Sequence, residues 1–192
     1  NLAVINNGLV FVLTADALKA FDMSTGARPR RIQPLPGRPE FRDTNPKVQF
    51  GGVIDRGTLV APLVEEVKKD QSYRGIPIKV KIPIRKLAGF DLGRWRWTWD
   101  HARILKNTPL ESWSFPSPPS AEDGVTYASA WSIEGFVDCN VAAFSSSTGE
   151  LLWRTRVASG QVEQTMFGEQ AIEPLCVPVA VADGVVYHST SF

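Results

Sequence analysis

The sequence predicts an all-β chain built from a repeated four-strand unit, and three observations predict it. One phrase recurs along the chain. Asn7-Gly8-Leu9-Val10-Phe11-Val12 leads to Leu18-Lys19-Ala20-Phe21-Asp22-Met23-Ser24-Thr25-Gly26. Asp123-Gly124-Val125-Thr126-Tyr127 leads to Val141-Ala142-Ala143-Phe144-Ser145-Ser146-Ser147-Thr148-Gly149-Glu150-Leu151-Leu152-Trp153, and a further copy opens at Asp183-Gly184-Val185-Val186-Tyr187-His188. The second observation is periodicity: no stretch of about a dozen residues carries a 3.6-residue apolar period. The third is composition, because 15 Gly and 14 Pro among 192 residues imply many turns.

In chain order, Leu9–Thr14 is apolar and β-rich, and Ala17–Asp22 forms the next strand. Ser24-Thr25-Gly26 is turn chemistry: the hydroxyls bond nearby backbone and glycine accepts a positive φ. Pro29, Pro34, Pro36, Pro39 and Pro46 make residues 28–47 a loop. A degenerate copy starts at Val53-Ile54-Asp55-Arg56-Gly57-Thr58-Leu59-Val60-Ala61. The charged segment Glu65–Gly75 reads as a short helical turn or an insertion. Ile76–Ile84 alternates with period two, and its prolines place it at an edge or a break in the ladder. Leu87-Ala88-Gly89-Phe90-Asp91-Leu92-Gly93 matches Leu18–Asp22 with a turn shortened by two residues, and Trp97 follows Gly93 as Trp153 follows Gly149, four residues on. The third copy ends with the strand Leu151–Val157, residues 158–174 are irregular, and Val177–Val181 with Val185–Ser189 begin a fourth unit. The whole of 1–192 is expected to be one partial domain with units at 1–33, 48–106, 116–160 and 174–192.

Four short antiparallel strands bury one small sheet poorly, because both faces need cover. Radial stacking of such sheets supplies the cover and leaves only short edges, so the predicted architecture is a β-propeller segment. It comprises about three blades plus the start of another, part of a larger ring of seven or eight. Alone, such an arc presents open edges and is expected to self-associate.

Residues Ala143 to Trp153 resemble the tryptophan-docking motif of pyrroloquinoline quinone (PQQ)-type β-propellers, Ala-x-Asp-x-x-Thr-Gly-x-x-x-Trp. That copy keeps Ala143, Thr148, Gly149 and Trp153, with Ser145 for Asp. The first keeps Ala20, Asp22, Thr25 and Gly26, with Arg30 for Trp, and the second keeps Asp91 and Trp97, with Gly89 for Ala. The resemblance implies that these positions are structural. It also implies a quinoprotein alcohol dehydrogenase-like fold, a location outside the cytoplasm, and the remaining blades of the same propeller as partners. The family spans quinoprotein dehydrogenases and non-catalytic scaffolds, so fold alone does not choose between them. The favoured role is a scaffold or ligand-binding propeller with a protein or carbohydrate ligand. PQQ with calcium belongs only to the alternative, a quinoprotein oxidoreductase.

A net charge of +1 hides an asymmetry: residues 1–106 carry 19 Lys+Arg and 10 Asp+Glu, and residues 107–192 carry 2 and 10. The basic residues fall in long loops without interleaved stacking aromatics, so no nucleic-acid partner is expected. No apolar run approaches the roughly 18 residues of a membrane helix. The absence of an initiating Met and the opening of an incomplete unit point to a piece of a longer chain. Cys139 and Cys176 are 37 apart, without metal spacing, and suit either a disulfide or two thiols.

Glu134, Asp138 and Asn140 offer hard oxygen donors suited to calcium, or form an exposed loop. Asp100-His101 reads as a base pair of the catalytic kind or as a turn at a strand end, and no G-x-S-x-G elbow accompanies it or His188. Trp95, Trp97 and Trp99 alternate with Arg94, Arg96 and Thr98, which places all three on one strand face. Such a row reads either as core packing between blades, expected for Trp97, or as a carbohydrate or nucleic-acid stacking platform, with Trp95 or Trp99 the candidate surface aromatics at a rim. Function is to be sought in the variable stretches 28–50, 65–86, 100–118 and 158–176.

Overall fold

The computed structural model describes residues 3–14, 17–35, 50–73, 76–134, 136–160 and 177–189. Its strands form four antiparallel sheets in sequence order. β1 (Ala3–Asn6), β2 (Leu9–Leu13) and β3 (Leu18–Asp22) make the first. The second holds β4 (Val53–Asp55), β5 (Thr58–Tyr73), β6 (Ile76–Asp91) and β7 (Arg96–Asp100). A single turn of helix, α1 (His101–Ile104), follows. The third sheet holds β8 (Ser120–Glu122), β9 (Val125–Glu134), β10 (Phe136–Ser145) and β11 (Leu151–Gly160), and β12 (Ala180–Ala182) pairs with β13 (Val185–Tyr187). The first strands β1, β4, β8 and β12 touch in succession, as the inner strands of propeller blades do.

The two-residue turns opening each sheet are of one kind. Asn7-Gly8, Arg56-Gly57, Asp123-Gly124 and Asp183-Gly184 all have positive φ at both positions, the geometry that matches the twist of a tight hairpin. Alternation then gives each strand two apolar faces, and adjacent sheets share them. On the second sheet Leu59, Ala61, Leu63, Ala88 and Phe90 meet Phe11, Leu13, Leu18 and Ala20 of the first. Val60, Leu87 and Trp99 meet Ala128, Ala130, Ala142 and Phe144 of the third. Both faces of the central sheet are therefore seams, and at ~25 cal/mol per Å² of buried apolar area these seams hold the sheets together.

Glu65–Tyr73 is strand, not the expected helical turn. β5 and β6 pair without a break from Thr58↔Asp91 to Tyr73↔Ile76, well past the short neighbours β4 and β7. The prolines fit this ladder because of their register. Pro62, Pro83 and Pro77 pair with Leu87, Glu66 and Ser72, positions an even number apart, so all three share one class of pair. In that class the nitrogen points out of the two-stranded ladder and needs no partner.

Candidate functional site

Two of the residues that the sequence offers as chemistry, Trp99 and His101, meet on the seam between the second and third sheets. Trp99 is 6% exposed. Its Nε1–H donates to Ser146 O at 3.0 Å, and its ring lies against Gly149 so closely that a Cβ there would fall 2.5 Å from Trp99 Cε3. A Cβ on Gly89, the residue paired with Trp99, would fall 2.1 Å from its Nε1. Two glycines thus make the slot that one indole fills.

A β-bulge decides which tryptophan enters that slot. Phe90 pairs with Trp97 but Gly89 pairs with Trp99, so Thr98 is an extra residue on β7. Phe90 and Gly89 point to opposite faces, and the bulge sends Trp97 and Trp99 to opposite faces with them. The third sheet repeats this: Phe144 pairs with Leu151 and Ala143 with Trp153, leaving Leu152 extra. Trp99, not Trp97, therefore occupies the docking position, ten residues after Gly89 as Trp153 is ten after Ala143. Counting from the paired Ala or Gly, rather than from the turn, would have found it.

The same count corrects the second turn, which is not shortened. Trp95 stands where the other copies have Gly26 and Gly149, and it takes their left-handed backbone, φ 57° beside 68° and 72°. It is half-buried, 5.9 Å from the Phe11 ring and 5.6 Å from Phe90. Neither Trp95 nor Trp99 is a surface aromatic. Trp97 packs edge-on to Phe90 and donates Nε1–H to Gln33 O at 3.0 Å. At the seam between the first and second sheets the sizes are reversed: Trp95 fills the Gly position, and Arg30 stands at the Trp position.

The turn residues act as caps. Asp22 Oδ1 accepts from Ser24 N, Ser24 Oγ, Thr25 N and Thr25 Oγ1 at 2.7–3.0 Å. The Ser24 hydroxyl foremost, then the Thr25 amide and hydroxyl, favour the carboxylate and lower its pKa to about 2. Asp91 Oδ1 accepts Arg94 N at 2.8 Å in the second turn. Ser145 Oγ accepts Thr148 N at 3.4 Å in the third, where Thr148 Oγ1 accepts Glu150 N and Gly149 N donates to Ser145 O. Ala20 and Ala143 are buried at the strand pairs behind these turns, and Trp153 is 41% exposed beside Tyr127.

Asp100 and His101 do not pair as acid and base. Asp100 caps α1, its Oδ1 accepting Ala102 N at 3.0 Å. His101 is fully buried against Trp99, Phe115 and Phe144, and Nε2 donates to Gly149 O at 2.8 Å. Sequence reasoning missed this second dock onto the Thr148-Gly149 turn, since a lone His carries no spacing signal. Lys86 is buried too and donates from Nζ to the carbonyls of Glu111 and Trp113, fastening the 101–118 connection to β6.

Asp138 and Asn140 lie on β10, and Glu134 at the end of β9, so the trio is strand rather than loop. The Asp138 carboxylate faces Arg156 at 4.0 Å, and Asn140 Nδ2 donates to Asp138 O. The Glu134 side chain is outside the described residues. Among the described residues no group of three His, Cys, Asp or Glu converges as a metal site. His188 Nδ1 is 3.4 Å from Ser129 Oγ and Nε2 is 3.7 Å from the Sγ of buried Cys139. Cys176 and residues 36–49 and 161–176 fall outside the described residues. No helix among the described residues is long and apolar enough to cross a membrane.

No family model matches the chain, and no curated protein does. Solved structures do. Quinohemoprotein alcohol dehydrogenase ADHIIG from Pseudomonas putida HK5 aligns over 80% of this chain at 13% identity and TM-score 0.53. Quinohemoprotein alcohol dehydrogenase from Comamonas testosteroni aligns over 80% at 16% identity and TM-score 0.52, and a europium-containing methanol dehydrogenase over 80% at 12% and 0.52. The chain spans 20–24% of those proteins' length. The likeness is one of fold: a quinoprotein alcohol dehydrogenase-like propeller segment.

Proposed function

We propose, from this quinoprotein alcohol dehydrogenase-like propeller fold, that the chain supplies non-catalytic blades that scaffold or present ligands in a protein outside the cytoplasm. One observation carries the reading: Trp99 and His101 are engaged across a seam, and Asp100, Asp22 and Asp91 in local caps. Trp99 and His101 both donate to the Ser146–Gly149 turn, Asp100 caps α1, and Asp22 and Asp91 cap their turns. A His and a Trp spent on backbone carbonyls are held in one orientation, which suits a rigid frame.

The test adds PQQ and calcium to the full-length protein and follows quinone absorbance together with dye-linked alcohol oxidation. The expected outcome is neither quinone uptake nor activity. Stoichiometric uptake with calcium-dependent oxidation would overturn the scaffold role. The second reading, part of a PQQ- and calcium-dependent oxidoreductase, has the fold of its neighbours in its favour and nothing finer, since identity is 12–16%.

A further inference from the structure

We propose that the chain forms a two-fold dimer by joining the outer edge of β5 to the same edge of a second copy, in one register centred on Val67. β5 and β6 run past their neighbours as a two-stranded ribbon: β4 pairs no further than Val60, and β7 no further than Ala88. Among the described residues no strand pairs with either edge of the ribbon beyond those points.

The two edges are not alike. On β6, Arg85 N donates to Ser114 Oγ at 2.8 Å and Arg85 O accepts Phe115 N at 3.0 Å, so the backbone there faces away from β5. Pro77 and Pro83 lie an even number of residues from Arg85 and share that orientation. The β6 edge therefore lacks two donors and is closed to a further strand. The β5 residues paired with this class are Glu66 with Pro83, Lys68 with Lys81, Asp70 with Lys79 and Ser72 with Pro77. Their N–H and C=O groups point outward and none is proline, which makes this edge a template for another strand.

Charge identifies that strand as a second β5. Glu65-Glu66-Val67-Lys68-Lys69 is a charge palindrome about Val67. Inside the ribbon no opposite charge stands directly across from any of the four: Glu65 pairs with Ile84, Glu66 with Pro83, Lys68 with Lys81 and Lys69 with Val80. An antiparallel second copy centred on Val67 sets Glu65 opposite Lys69 and Glu66 opposite Lys68, twice each, so every charge gains a partner. Outward-facing residues must meet outward-facing residues across the new ladder, so the nearest other centres are Glu66 and Lys68. The first sets Glu66 opposite Glu66; the second sets Lys68 opposite Lys68 and Glu66 opposite Asp70. Both oppose like charges, and Val67 is the centre that avoids them. Its main-chain hydrogen bonds join Glu66 to Lys68 of the second copy, and the two Val67 residues meet at a non-hydrogen-bonded position. Ile82, Val67, Val67 and Ile82 then fall in one row on one face of a four-stranded sheet. A ladder this short makes a weak, concentration-dependent dimer.

Sedimentation velocity on the full chain, from micromolar to near-millimolar concentration, should show a monomer–dimer equilibrium that weakens as salt rises. Glu65→Lys with Glu66→Lys, and separately Lys68→Glu with Lys69→Glu, should each weaken dimerisation at least about tenfold, the scale of four cross-strand charge pairs reversed. Mixing the two variants in equal amounts should restore it, because opposite charges then face one another between unlike chains. Lys68→Pro removes no hydrogen bond of the ribbon, since the nitrogen at 68 points outward, and should abolish the dimer with the far-UV circular dichroism spectrum kept. Val67→Cys reads the register directly. Non-hydrogen-bonded partners lie about 4.5 Å apart at Cα, within disulfide reach, so mild oxidation should link two copies there and not through Gln71→Cys. Equal linkage through both cysteines would overturn the register. A chain that stays monomeric throughout the series would overturn the proposal. So would association indifferent to Lys68→Pro, which would place it at the open terminal sheets, or charge variants whose mixture stays dissociated. None of these outcomes bears on the scaffold reading, which the quinone test decides.

Discussion

Gly26 and Gly149 occupy the same motif position with nearly the same backbone, φ 68° and 72°, yet alanine should affect them differently. At Gly26 an added Cβ meets nothing within 4 Å, so the cost is the left-handed backbone alone, ~1–2 kcal/mol. At Gly149 it would lie 2.5 Å from Trp99 Cε3 and 2.6 Å from Cδ2, both ring atoms that cannot yield without moving the indole. Overpacking a seam costs a further ~1–3 kcal/mol, giving ~2–5 kcal/mol in all. At about 2–4 °C per kcal/mol for a chain of this size, Gly149→Ala should lower the melting temperature several degrees more than Gly26→Ala. Urea unfolding followed by far-UV circular dichroism gives the free energies. A cycle with Trp99→Leu isolates the contact: in that background Gly149→Ala should cost only the backbone share, a coupling of ~1–3 kcal/mol. Equal effects at the two glycines, or additivity in the cycle, would refute the dock as a fitted seam.

Asp22 has a folded pKa of about 2 against 3.8 unperturbed, so its contribution to the turn is complete above about pH 4 and fades as pH falls toward 2. Carboxyl NMR titration should show that midpoint, and Asp22→Ala should abolish acid sensitivity in the exchange of the Ser24 and Thr25 amides; a midpoint near 3.8 would refute it. Trp95→Gly relieves a strained φ of 57° but removes the ring packed on Phe11 and Phe90, and chemical denaturation should register a net loss of ~1–3 kcal/mol. A stabilised variant would show that strain outweighs packing there. Lys86→Met leaves the Glu111 and Trp113 carbonyls without their buried donor and should cost at least about 1.5 kcal/mol, with faster exchange confined to residues 101–118.

Legibility in the sequence followed the range of the interaction. Asp-Gly and Asn-Gly pairs announced three of the hairpins because positive φ is a property of two adjacent residues, and Arg56-Gly57 takes the same geometry in the second sheet. Ile76–Ile84 announced a strand by its period, while Glu65–Tyr73, charged and without alternation, became strand only because β6 pairs with it along its length. Asp22 with Ser24 and Thr25 was readable as a turn, since every bond it makes is within three residues.

The chain by itself determined an all-β repeat with two apolar faces per sheet, because side-chain alternation and turn chemistry are local. The ten-residue count from Gly89 points to Trp99, but only tertiary structure shows why it is Trp99 that docks. That choice rests on the single extra residue Thr98, and a bulge is a matter of pairing between strands, invisible along one of them. One residue of register moved Trp97 and Trp99 to opposite seams. It set Trp99 against Gly149 and His101 against the same turn.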